Sequence, residues 1–246
     1  MSNIIKPDDT DNALSKPLYV PIKRRSFFMY AGATAGVTAL ALAGCNDDTD
    51  NNPNYIDVGS GDVGVLNYSY ALEQLEAAFY AQVLTGGYFT AAGISAAEKQ
   101  IFQDLALHEK IHADFLRQAI AGTNTTPLQN LTPDFSSINF GDRTSVLNAA
   151  KTFEDLGVAA YNGAGQYIEN AAYLTIAGKI VSVEARHAAL IRDLITFNSF
   201  VADDVVDFST TSATARQEKS KSPSEVLNAA NMYLAEGSKL SASSLQ

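Results

Sequence analysis

Two of the three histidines in this chain follow a glutamate by three residues, and that pattern constrains the fold more than any other feature. The segments are Glu109-Lys110-Ile111-His112 and Glu184-Ala185-Arg186-His187. Only 10 of the 246 residues are Glu, so a Glu three places before a given His is rare by chance. On an α-helix the i, i+3 spacing sets both side chains on one face. Upstream of each pair stands another glutamate with a tyrosine seven residues on: Glu73 with Tyr80, and Glu154 with Tyr161. The chain therefore carries Glu-x6-Tyr and then Glu-x-x-His, twice and in the same order, as an internal repeat. The competing reading is ordinary buried histidines with surface glutamates.

The surrounding periodicity is helical. Leu66, Leu72, Leu75, Phe79 and Val83 recur at three- and four-residue spacing, which predicts a first helix over about 62–85, closed by Gly86-Gly87. Ser95 with Glu98 reads as a capping box opening a second helix, about 95–121. Residues 124–141 carry two prolines and many Thr, Ser and Asn, and read as a long connection. A third helix is expected over about 144–170 and a fourth over about 174–201. Ser222-Pro223-Ser224-Glu225 opens a shorter fifth, up to Glu236. Asp203, Asp204 and Asp207 read as a solvated loop. Short links within each pair and one long link between helices 2 and 3 predict an all-α four-helix bundle with one long crossover and an extra C-terminal helix.

Such a bundle aims one carboxylate and one imidazole inward from each Glu-x-x-His, and a single carboxylate from each of the other two helices. Four buried carboxylates without counter-charge are costly, and two divalent cations neutralise them. Mixed oxygen and nitrogen donors suit iron or manganese better than structural zinc. Glu73 is preferred as the first-helix ligand because Glu73 to Tyr80 repeats Glu154 to Tyr161; Glu76, one turn on, is the alternative.

The ligand pattern from about 62 to 201 resembles the ferritin-like di-metal carboxylate superfamily. The segment Leu72 to Tyr80 (LEQLEAAFY) is similar to its bacterial ferritin-like and desiccation-related members. The resemblance implies that Glu73, Glu109, His112, Glu154, Glu184 and His187 hold two iron or two manganese ions, with Glu109 and Glu184 as bridging candidates. Tyr80 and Tyr161 would lie nearby as redox-active or hydrogen-bonding groups, with core packing as the alternative. It implies redox chemistry with oxygen or peroxide, of ferroxidase, peroxidase or catalase type. The alternative is a non-catalytic metal-binding or stress-protective bundle at the cell envelope, and homo-oligomers fit either reading. In many members an acidic residue precedes the Glu of each Glu-x-x-His and orients the opposite His; here those positions hold His108 and Val183. Asp155 is the expected substitute, and His108 reads as a surface residue or an outer partner rather than a ligand. Gly157, Gly163 and Gly165 in the third helix each cost about 1 kcal/mol against Ala, which close helix approach would explain.

The first 45 residues read as an address. Lys23-Arg24-Arg25-Ser26-Phe27-Phe28 opens an uncharged, Ala- and Gly-rich run that ends in Leu42-Ala43-Gly44-Cys45. Arg24-Arg25 resembles a twin-arginine export signal, and the chain's one cysteine, Cys45, stands where a bacterial lipobox needs it. The expectation is a twin-arginine lipoprotein signal over 1–45, a flexible acidic linker over 46–61 and a ferritin-like domain over 62–246. Cys45 would then anchor the protein to a membrane by its lipid, on the periplasmic or cell-surface side. A net charge of -10 argues against nucleic acid as a partner.

Overall fold

The computed structural model describes residues 52–212 and 214–245. Arg24, Arg25 and Cys45 lie outside the described residues, as does the start of the expected linker. Four long helices carry the body: α1 Gly61–Thr85, α2 Ala96–Ala121, α3 Arg143–Ala164 and α4 Ala171–Ile195. A short α5, Pro223–Ala230, follows, and two two-residue strands, β1 Ile56–Asp57 and β2 Leu240–Ser241, pair in parallel. Among the described residues no helix is long and apolar enough to cross a membrane.

Polar side chains start the helices. Ser95 accepts from the Glu98 amide, Asp142 from Ser145 and Asn170 from Ala172. Ser222 forms a complete capping box with Glu225, with Pro223 as the first helical residue. Asp62 in the first turn of α1 accepts from the Glu169 and Asn170 amides and so ties the start of α1 to the start of α4. α1 packs on α2, and α3 on α4, as two antiparallel pairs. The chain between α2 and α3 returns along α1, where Gln74 bonds Gln129 and Leu131, and the Asn67 side-chain Oδ1 accepts from the Leu128 amide.

Several expected boundaries shift. Residues 55–61, assigned to a flexible linker, are part of the folded body: Ile56 and Asp57 pair with Leu240 and Ser241, and Val58 is fully buried. The tail that covers them could not be paired from sequence, because a two-residue ladder has no period. α3 ends at Ala164 rather than near 170, since Asn170 is needed as the cap of α4. α4 ends at Ile195, where Asn198 takes a positive φ and its amide bonds Asp193. α5 stops at Ala230 because Asn231 turns its side chain to clamp both backbone groups of Leu240. Of the acidic loop, Asp204 reaches Lys151 and Arg192, and Asp207 holds its own turn through Ser209 and Thr214.

Two glycines in α3 have steric reasons. The segment before α5 crosses α3 so closely that a Cβ at position 163 would lie 1.7 Å from the Lys221 carbonyl oxygen. A Cβ at 157 would lie 3.0 Å from Glu76 Oε1. Gly178, on the exposed side of α4, has nothing within 4 Å. Gly163→Ala should therefore destabilise the protein by about 2 kcal/mol. Gly178→Ala should stabilise it by about 0.5–1 kcal/mol. Urea unfolding of both variants checks this; equal effects would contradict the close crossing.

Candidate metal centre

Along each helix the apolar core is broken at one level. Above it lie Leu66, Tyr70, Leu116, Ile120, Tyr161 and Ile180; below it lie Phe79, Phe102, Leu105, Phe153 and Ile191. Between these layers Glu73, Glu109, Glu154 and Glu184 are each 0% exposed, with His187 at 4%. His112 completes the level from a partly buried position. The structure thus brings all six predicted ligands together.

Two overlapping groups form: Glu73, Glu109, His112 and Glu184, and Glu109, Glu154, Glu184 and His187. Within each, one donor atom per residue lies within 4.8 Å of every other. Glu109 and Glu184 are common to both. His112 Nδ1 is 2.9 Å from Glu184 Oε1 and 3.3 Å from both Glu73 Oε2 and Glu109 Oε2. His187 Nδ1 is 2.7 Å from Glu109 Oε1, 3.5 Å from Glu154 Oε2 and 3.7 Å from Glu184 Oε2. Each shared carboxylate thus gives one oxygen to each imidazole.

These approaches are short but poorly aligned as hydrogen bonds. Glu73 Oε2, both oxygens of Glu109 and Glu184, Glu154 Oε2, and Nδ1 of His112 and His187 are buried without an aligned partner. Outside this cluster, Tyr68 Oη is the one such atom among the described residues. Eight orphaned donor atoms converging on one point, six carboxylate oxygens and two imidazole nitrogens, are what a metal-cation site requires.

The tyrosines fix the remaining oxygens, crosswise between α1 and α3. Tyr80 on α1 donates to Glu154 Oε1 on α3, and Tyr161 on α3 donates to Glu73 Oε1 on α1 at 2.5 Å. Burial and the neighbouring carboxylates push both phenols well above their ordinary value, so they keep their protons. Each terminal carboxylate therefore has one oxygen held by a phenol and the other aimed at the centre.

Two placements were not expected from the sequence, and a third decides between the two readings of His108. Glu76 is not a substitute for Glu73 but a fifth buried carboxylate, in the space that Gly157 leaves open. Asp155 does not orient a ligand; it forms a two-point pair with Arg192 and a bridge to Lys151. His108, which read as surface or outer partner, lies with Nδ1 3.0 Å from His187 Nε2, its ring edge to edge and nearly coplanar with that of His187.

Protons balance this charge in the metal-free chain. Burial opposes charging His112 and His187, but the surrounding carboxylates outweigh it and push both to about 12. Burial alone would raise Glu109; the two imidazoles pull it down to about 2. Glu154 is pushed up to about 8 by burial and by Glu109 and Glu184. Burial and the Glu184 charge hold Glu73 and Glu76 well above the carboxylate range.

A family model described as a ferritin-like domain matches residues 61–196, which span all four bundle helices and every member of the cluster. Comparison with curated proteins finds no match.

The pH dependence follows from these shifts. Below 12 both imidazoles hold a proton that a cation must displace, so lower pH favours the metal-free form. Loading two divalent ions near pH 7 should release at least two protons, and the combined affinity should fall at least about 100-fold for each unit by which pH is lowered. Calorimetry in buffers of different ionisation enthalpy checks this; binding without proton release would contradict it.

Proposed function

The chain belongs to the ferritin-like domain family, whose model covers residues 61–196, and from that premise we propose that it holds a di-iron or di-manganese centre that reacts with oxygen or peroxide. The observation that carries the reading is the convergence of eight unpartnered donor atoms from four helices. Glu73, Glu109, His112 and Glu184 would hold one ion, and Glu109, Glu154, Glu184 and His187 the other. Bound there, such ions supply one-electron redox chemistry toward a small oxidant.

The chain's own residues set the conditions for it. Apolar layers on both sides keep bulk water from the carboxylates. Tyr80 and Tyr161 fix the rotation of Glu154 and Glu73. Glu76 supplies a fifth carboxylate at Oε1 and Oε2, one more negative charge than two divalent ions offset. It therefore keeps a proton while the bound charge is four and can give it up when that charge rises. The lipid tether at Cys45 and twin-arginine export belong to the same reading and rest on residues 1–45 of the sequence; folding and metal loading before export would suit a bundle whose core needs its ions.

The protein purified without metal should take up about two iron or manganese ions per chain, and Glu109→Ala or His187→Ala should lose at least one. Oxygen or peroxide added to the ferrous protein should oxidise it at least ~10-fold faster than the Glu109→Ala variant. Two ions bound but inert to both oxidants would leave a non-catalytic metal-binding bundle. A parent that takes up neither metal would overturn the proposal.

A further inference from the structure

The ligand repeat is symmetric, but what stands behind it is not. Each half places a residue directly before its Glu-x-x-His glutamate: His108 in α2 and Val183 in α4. His108 Nδ1 meets Nε2 of His187, across the bundle, at 3.0 Å. Val183 has no polar side-chain atom. Among the described residues nothing hydrogen-bonds Nε2 of His112. One imidazole of the centre therefore has a hydrogen-bond partner behind it and the other has none among the described residues.

Resting on the metal reading above, we propose that His108 is a positioning residue that makes the two halves of the centre unequal, with the tighter cation site on the His187 side. The tautomers follow from the geometry. His187 Nδ1 faces Glu109, Glu154 and Glu184, so a cation there needs the lone pair on Nδ1 and the proton on Nε2. That Nε2–H donates to His108 Nδ1, which must be the unprotonated nitrogen of its ring. His108 keeps its own proton on Nε2, and its exposed position lets water satisfy it. With ring centroids 5.2 Å apart and planes 18° from parallel, the two imidazoles lie edge to edge and nearly coplanar, so the in-plane hydrogen bond holds the His187 ring at one rotation. Outer hydrogen bonds of this kind fix a ligand's tautomer and direction, and losing one typically weakens metal affinity 10- to 100-fold. His112 must be oriented by its carboxylate neighbours alone.

The test is a titration of the full chain, metal-free, with Co(II), reading stoichiometry, the two affinities and the visible bands of the bound ion. His108→Phe keeps a planar aromatic ring at the position and removes the acceptor. His108→Asn returns an acceptor oxygen close to the place of Nδ1. The parent should bind two ions with unequal affinities. His108→Phe should weaken the tighter one 10- to 100-fold, leave the other unchanged and shift the cobalt bands, and His108→Asn should restore them. Helix content by circular dichroism should match in all three, since His108 is exposed. Equal affinities in the parent, a His108→Phe titration like the parent's, or equal weakening of both sites would each overturn the inference while leaving the metal reading intact. A parent that binds no cobalt, iron or manganese would overturn both.

Discussion

Five carboxylates share one level of a narrow helical bundle, and among the described residues no lysine or arginine forms an ion pair with any of them. Removing a carboxylate from water costs several kcal/mol even after the protein relaxes. The rest of the bundle is arranged around offsetting that cost. Two imidazoles stand among the carboxylates, two phenols donate to the outer oxygens, and protons or cations must supply the rest. The cluster cannot be made neutral by hydrogen bonds within the chain, because its innermost donor atoms face one another rather than any partner.

The bundle geometry makes this arrangement symmetric. α1 and α3 each give a Glu and a Tyr, crossed so that each phenol serves the other helix's carboxylate. α2 and α4 each give a Glu-x-x-His, whose glutamates are shared between the two imidazoles. The exceptions to the symmetry are few and local. Glu76 adds a carboxylate on the α1 side, against Gly157, and His108 adds an imidazole behind His187. These break the equivalence of two sites that the repeat would otherwise make alike.

Much of this was readable from sequence because spacing on a helix is geometry. Glu109 with His112 and Glu184 with His187 could only share a face, and Glu73 to Tyr80 repeated Glu154 to Tyr161. The caps Ser95 and Ser222 and the long connection were legible for the same local reason. What failed was non-local. Asp155 looked free to orient a ligand, but Arg192 from α4 takes both its oxygens. Residues 55–61 looked like a linker by composition, but the C-terminal tail pairs with them from the far end of the chain. Glu76 was weighed against Glu73 because one turn of helix separates them; that both are buried depends on Gly157 of another helix, which sequence spacing does not show.

The most direct test of the account is anomalous diffraction from crystals of the iron- or manganese-loaded protein, collected on both sides of the metal's absorption edge. The account predicts two peaks in the bundle core, one among Glu73, Glu109, His112 and Glu184 and one among Glu109, Glu154, Glu184 and His187. A core with ordered water and protonated carboxylates, and no anomalous signal at that level, would contradict it.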